Sequence, residues 1–236
     1  MSNSFFKFKQ FTIHQQDCAM KVSTDACIQG AWTPVLPGIK KVLDAGTGTG
    51  LLSLMLMQRA QDAMIDAIEI DEDAYKLAKL NVNLTPWAGQ IRVIHDDIRS
   101  TLNNETYDLV ICNPPFFNNS LLGPNNKRNA VRHTLTFSYS DICTMLCKHL
   151  NACGYASVLL PYPELPAWQK LLQESGLFLN RILFIKPKET KAINRFIAIC
   201  SKQESALQEE ELVIYNTDNS YTQKALYLLK PYYLNL

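Results

Sequence analysis

The sequence predicts an α/β fold: a mostly parallel sheet flanked by helices and closed by an antiparallel C-terminal hairpin. Three observations predict it. From residue 38 onward, short apolar runs alternate with longer runs of good helix formers, the pattern of repeated βαβ units. A glycine-rich turn, "DAGTGTG", joins the first apolar run to the first helical one. Near the end, "LNRILFIKP" and "NRFIAICSK" are separated only by a short polar loop from Lys188 to Ile193. A parallel crossover needs about a dozen residues, so these two runs form a hairpin.

The elements follow in order. In "FFKFKQFTI" Phe6 and Phe8 alternate with Lys7 and Lys9, as in a strand or hairpin with one apolar face. Ser23-Thr24-Asp25 offers a helix start ahead of "ACIQGAW", and Pro34, Pro37 and Gly38 break the chain. Then come "KKVLDAG" (strand), "LLSLMLMQRA" (helix), "MIDAIEID" (strand), "EDAYKLAKLNVNL" (helix), "IRVIHDDI" and "YDLVICNPP" (strands). "YSDICTMLCKHLNACG" reads as a helix closed by Gly154, "YASVLLP" as a strand, and "LPAWQKLLQESG" as a helix closed by Gly176. After the hairpin lie an acidic connector, "ELVIYN", and a last segment, "SYTQKALYLLKPYYLNL". No repeat or interdomain linker interrupts the chain. One domain is expected over 1–236: an N-terminal segment 1–37, a core 38–202 and a C-terminal extension 203–236.

Composition narrows the function classes. Of 236 residues, 47% are apolar and 19% charged, an ordinary packed globule with a net charge of +1. No overall field attracts nucleic acid, so any basic surface is local. The cysteines number seven, are scattered and form no Cys-x-x-Cys, which fits a reducing cytoplasm better than a disulfide framework. Cys143, Cys147 and Cys153 read as core packing rather than metal ligands, and the four histidines show no metal spacing. With no signal peptide and no apolar run able to span a bilayer, a cytoplasmic protein is expected.

The chemistry concentrates at two turns. Gly46, Gly48 and Gly50 let the backbone approach a ligand at the carboxyl end of the first core strand. The spacing is not a dinucleotide fingerprint, since Leu51 holds its third glycine position, nor a P-loop, since no lysine follows. The next strand ends at Glu69, whose carboxylate suits a pair of ribose hydroxyls. The third ends in Asp96-Asp97, and Asp97 suits an adenine amine, with Asp96 competing for the role. Either Glu69 or Asp97 is alternatively a solvated loop charge.

The second turn is Asn113-Pro114-Pro115-Phe116. Two prolines end the strand and make the turn rigid. The turn resembles the (D/N)-P-P-(Y/F/W) signature of methyltransferases that modify planar amines, which implies as target an exocyclic amine, a poor nucleophile whose nitrogen becomes tetrahedral and positive on methylation. Hydrogen-bond acceptors aimed at its N–H groups, Asn113 Oδ1 and the Pro114 carbonyl, stabilise that charge. Phe116 offers a face for the target ring. The alternative is a turn that only stops a strand.

Glycine loop and N-P-P-F turn together resemble the Rossmann-like S-adenosylmethionine methyltransferases that modify planar amines. That resemblance implies a seven-stranded sheet, S-adenosylmethionine as cofactor, and Asp44, Gly46, Gly48, Gly50, Glu69, Asp97 and Asn113 around it. The block "FKQFTIHQQDCAMKVSTDACIQGAW" and the later "RNAVRHT" make the chain similar, more closely, to the bacterial valine-tRNA adenine-N6 methyltransferases. These modify the adenine 3′ of the anticodon, at tRNA position 37. The resemblance implies that the N-terminal block folds over the cofactor pocket, with Lys21 and Thr24 in it. Asp25 matches the same motif or simply caps the helix. It also implies tRNA, through its anticodon stem-loop, as partner. Neither a metal nor a membrane is expected, and the chain is expected to be a monomer.

The long segment after the turn carries Lys127, Arg128 and Arg132 with no acid, which suits a phosphate backbone; a plain solvated loop is the alternative. Phe116 stands where that family usually has Tyr, so only stacking is expected of it. Phe is common in the guanine-N2 enzymes of ribosomal RNA, which stay open as an alternative although this chain has no room for their duplicated half. Glutamine-N5 protein methylation is a further alternative, weakened by the missing N-terminal helical domain. A non-catalytic RNA-binding module on the same fold has no need of the intact glycine loop, Glu69 and Asn113.

Overall fold

The structure is a computed structural model that describes residues 4–16, 18, 20–101, 105–114 and 137–235. The chain opens with β1 (Phe5–Lys7) and β2 (Thr12–His14), paired antiparallel as the aromatic–basic alternation predicts. Phe8, just beyond β1, is buried against Phe6, Phe11 and Tyr233. Helix α1 (Thr24–Trp32) starts at Ser23, whose side chain accepts from the Ala26 amide. Asp25 sits in the first turn, 3.8 Å from Arg195.

The core alternates as the sequence predicts. In order it contains β3 (Lys41–Ala45), α2 (Leu51–Met57), β4 (Met64–Glu69), α3 (Glu72–Asn83), β5 (Ile91–His95), the short α4 (Ile98–Thr101) and β6 (Tyr107–Cys112). It continues with α5 (Tyr139–His149), β7 (Leu150–Pro161), a 3₁₀ turn (Tyr162–Glu164), α6 (Leu165–Glu174), β8 (Phe178–Lys188) and β9 (Arg195–Ser201). Strand β10 (Gln208–Tyr215) and α7 (Gln223–Leu229) complete it.

The strands lie in the order β10-β8-β9-β7-β6-β3-β4-β5. Strands β3 to β7 are mutually parallel, and β9 runs antiparallel to both β7 and β8, which is the expected hairpin. Successive residues point to opposite faces. Val42, Leu109, Ile111 and Leu159 pack with α1 and α2 on one side; Leu43, Val110, Cys112 and Val158 pack with α5 and α6 on the other.

Two expectations are corrected in detail. The sheet has eight strands among the described residues rather than seven, because "ELVIYN" adds β10 parallel to β8. Its inward residues, Leu212 and Ile214, are buried in the same cluster as Ala225 and Leu229 of α7, so leaving the sheet would expose them. Gly154 does not close a helix. Helix α5 stops at His149, and Gly154 lies in β7 where the register jumps from Tyr107↔Leu150 to Leu109↔Tyr155. A Cβ there would stand 2.7 Å from the Tyr107 carbonyl oxygen, so close strand approach is what requires glycine. Gly176, by contrast, does end α6: it has φ +66°, and Leu177 N bonds Leu172 O at 2.9 Å.

Cys143 is buried and Cys147 half-buried, as core packing requires, but Cys153 is exposed. Among the described residues, no helix is long and apolar enough to cross a membrane.

Candidate active site

The carboxyl ends of β3, β4, β5 and β6 meet around one cavity of about 250 Å³. Its floor is the loop after β3. Gly46, Gly48 and Gly50 have φ of +74°, +57° and +82°, the left-handed region that costs a side-chain residue energy. A Cβ on Gly46 or Gly48 would meet no atom within 4 Å, so the bare backbone faces open space. Both line the cavity. Gly50 does not; it caps α2, where a Cβ would touch Ala78 at 3.7 Å.

Asp44 is fully buried behind this loop rather than in the cavity wall. Its Oδ2 accepts from Thr47 Oγ1 at 2.6 Å, from Ser53 Oγ at 2.6 Å and from Ser53 N at 3.1 Å. It therefore braces the loop to the start of α2. Burial pushes its carboxyl up to about 6, against the opposing pull of those three bonds.

Glu69, the last residue of β4, lines the cavity and is 9% exposed. Its Oε2 accepts from Gly48 N at 2.8 Å and its Oε1 from Asp71 N at 2.9 Å. Each oxygen retains a lone pair for a further donor. Thus the acid expected to hold ribose hydroxyls also ties the glycine loop to β4. Asp96 and Asp97 both reach the cavity. Hydrogen bonds from the Arg99 guanidinium hold the Asp97 carboxyl below the usual carboxylate range, while Asp96 Oδ1 accepts from Asp97 N at 2.7 Å.

The opposite wall is the turn after β6. Asn113 and Pro114 both line the cavity. Asn113 Oδ1 is buried and has no hydrogen-bond partner among the described residues. Such an orphaned acceptor is uncommon in folded proteins, where buried polar atoms are paired, and it suits a donor brought by a ligand. Pro115, Phe116, Lys127, Arg128 and Arg132 lie outside the described residues.

The N-terminal block reaches the cavity through residues other than those expected. Cys18 and Met20 line it; Lys21 and Thr24 do not. Lys21 is exposed, and Thr24 is half-buried in the first turn of α1. Gln15 Oε1 accepts from Val22 N at 2.9 Å, which draws together the residues on either side of Cys18 and Met20. Sequence reasoning also missed Ile70, Phe137 and Arg99 in the cavity wall. Ile70 left a signal: an apolar residue directly after a strand-end acid, 40% exposed and so not spent on the core. Asn81 left none. Fully buried on α3, it bonds His14 N and O and the Thr49 carbonyl, fastening β2 to the glycine loop.

A parallel sheet closed by an antiparallel hairpin, a glycine loop after its first core strand, an acid ending the second and an Asn-Pro turn across one cavity define a class: the Rossmann-like S-adenosylmethionine-dependent methyltransferases. Residues 33–135 match the family model described as methyltransferase small domain. Among solved structures, a predicted O-methyltransferase from Agrobacterium tumefaciens covers 90% of this chain and all of its own, with TM-score 0.67 and 16% identity. A type I restriction-modification methyltransferase subunit from Streptococcus thermophilus covers 89% of this chain and 48% of its own, with TM-score 0.58 and 16% identity. At such identities these likenesses speak for the fold alone.

Sequence relatives are much nearer. The chain is 40% identical over 237 residues to the tRNA1(Val) (adenine(37)-N6)-methyltransferase of Tolumonas auensis, covering 100% of this chain and 99% of that one. It is 38% identical to the protein of the same name from Pseudoalteromonas translucida, over 99% of this chain and all of the relative. The chain belongs to the tRNA1(Val) (adenine(37)-N6)-methyltransferase family.

Proposed function

We propose that this protein transfers a methyl group to the exocyclic N6 amine of adenine 37 in the anticodon loop of a valine tRNA. The observation that carries the reading is the orphaned Asn113 Oδ1, buried beside Pro114 in the same cavity as Gly46, Gly48 and Glu69. The family's named substrate supplies the tRNA and the position. Gly46, Gly48 and Glu69 would hold S-adenosylmethionine: bare glycine backbone borders open space, and Glu69 has lone pairs to spare. That cofactor, when bound, supplies an electrophilic methyl on a sulfonium.

The chain's own residues do the rest. Asn113 Oδ1 accepts one N–H of the adenine amine and the Pro114 carbonyl the other. The nitrogen lone pair would take up the methyl that the bound cofactor supplies. Positive charge then grows on the nitrogen, facing two fixed oxygen dipoles that need no reorganisation. The extra proton leaves to water, so no general base is required. Because those dipoles carry the charge, the reading needs no metal. We further read the chain as a cytoplasmic monomer and a single domain, in which the N-terminal segment, through Cys18 and Met20, covers one side of the cofactor pocket.

Nucleoside mass spectrometry of valine tRNA from a deletion strain tests this directly. N6-methyladenosine at position 37 should disappear and return on complementation. Its persistence in the deletion strain would exclude this substrate. A missing N2-methylguanosine in ribosomal RNA would point to the guanine enzymes instead.

A further inference from the structure

The catalytic edge of the sheet extends past the cavity. Strand β6 is parallel to β7, β7 antiparallel to β9, and β9 antiparallel to β8. The carboxyl ends of β7 and β8, and the turn joining β8 to β9, therefore stand on the same edge as Asn113-Pro114. Tyr162 follows directly on β7 and is 39% exposed. Its ring meets Phe184 nearly edge-on, centroids 6.0 Å apart at 77°. Its amide donates to the Asn194 carbonyl at 3.1 Å, which anchors the residue to the β8–β9 turn.

Single exposed aromatics are ordinary; this one stands on the sheet edge that also carries cations. Lys188 ends β8 and donates its Nζ to the Thr217 carbonyl, a contact that leaves the positive charge uncancelled. Asp218 is near enough to feel that charge, though the two are not paired within salt-bridge distance among the described residues. Lys191 is exposed in the turn. Glu189 is the acid between them. Lys186 is different, being paired to Glu211 at 3.0 Å.

Distance places this face beside the target base. Cys112 is level with Val158, so Pro114 is level with Leu160, and Tyr162 lies two residues further along the adjacent strand. Strand spacing and rise put it roughly 8–10 Å from the turn. A stacked strand advances about 3.4 Å per nucleotide, so the ring is within about three nucleotides of a base held at Asn113.

We propose that Tyr162 with Lys188 and Lys191 forms a second RNA contact, resting on the function proposed above. The ring stacks on a nucleotide flanking the target, and the two lysines meet its phosphates. An exposed aromatic beside cations is the usual footprint of single-stranded nucleic acid. Every base has a π-face, so this contact sets affinity and register more than sequence.

The test uses the full-length protein, a valine tRNA anticodon stem-loop, binding by fluorescence anisotropy and methyl transfer by scintillation. Tyr162→Ala should raise Kd and KM for RNA about tenfold, within the range expected for one lost stack, with affinity for S-adenosylmethionine kept. Tyr162→Leu, which preserves apolar contact with Phe184, should behave like Ala, and Tyr162→Trp like the native protein. Replacing Lys188 and Lys191 together by Ala should lower the slope of log Kd against log salt by about one to two. RNA affinity within twofold of native in both Tyr162→Leu and the lysine double variant overturns the proposal and leaves the methylation reading intact. RNA binding with no methyl transfer by the native protein overturns the methylation reading, while the variants' affinities still decide this surface.

Discussion

Asn113 and Asp44 are both polar side chains with a buried unpartnered oxygen, yet their surroundings assign them different tasks. Asn113 lines the cavity, so its unpartnered Oδ1 lies on the residue a ligand N–H would meet. Removing a fixed dipole that meets developing charge costs about 10²–10³ in turnover. Asn113→Ala should therefore lower kcat by at least about a hundredfold, with the dissociation constant for S-adenosylmethionine little changed by calorimetry. A nearly normal kcat would remove Asn113 from the chemistry. Asp44 faces the protein, and its raised carboxyl makes stability depend on pH. In the folded state it holds its proton to about 6, whereas the unfolded chain releases it near 3.8. Above the lower value the unfolded state binds fewer protons, so Asp44 subtracts stability as pH rises through that window. Two units correspond to about 3 kcal/mol. Asp44→Asn keeps an acceptor for Thr47 and Ser53 without the charge. Urea melts should show its stability gaining on the native protein between about pH 4 and 6 and holding level above; a constant gap would contradict this account.

At the scale of elements, the glycine loop is held from three sides. Asp44 braces it to α2, Glu69 ties Gly48 to β4, and Asn81 of α3 joins the Thr49 carbonyl to β2. Asn81 hydrogen-bonds both the N-terminal hairpin and the glycine loop. Asn81→Ala would leave His14 N, His14 O and the Thr49 carbonyl without that partner, and a buried group so exposed costs about 1–3 kcal/mol. The variant should lose about 2 kcal/mol or more in denaturant melts. It should also bind S-adenosylmethionine more weakly, unlike Asn113→Ala. Unchanged cofactor affinity in a destabilised Asn81→Ala would separate the hairpin from the loop. The loop's dihedral angles are local, but its position is a product of strands and helices distant in sequence.

Across the whole molecule, the two chain ends complete one apolar cluster. Phe8 and Ile13 from the N-terminal hairpin pack with Cys27 of α1, and Leu212, Leu229, Tyr232 and Tyr233 come from the C-terminal extension. Lys9 N bonds the Tyr232 carbonyl at 2.8 Å, and Phe8 bridges to Tyr233. The extension thus covers the back of the segment that brings Cys18 and Met20 to the cavity. A chain ending at residue 203 would expose that apolar surface to water. It should lose its cooperative thermal transition and bind a hydrophobic dye; a sharp, native-like melt would show the extension to be dispensable.

What the sequence by itself determined is the chain order and the chemistry at the strand ends. Alternating periodicity marked the strands and helices, glycine spacing excluded dinucleotide and triphosphate loops, and two prolines after an asparagine marked the end of β6. These are local signals, set within a few residues by sterics and hydrogen-bonding capacity. Tertiary structure alone decided which neighbouring residues line the cavity. Gln15 bonds Val22, and Cys18 and Met20, not Lys21 and Thr24, reach the cavity. Strand approach made Gly154 a packing residue rather than a helix stop, and burial beneath α7 drew "ELVIYN" into the sheet as an eighth strand. The last two deciding contacts join residues far apart in the chain, and the first is a side-chain bond across a seven-residue gap; no helix or strand periodicity records any of them.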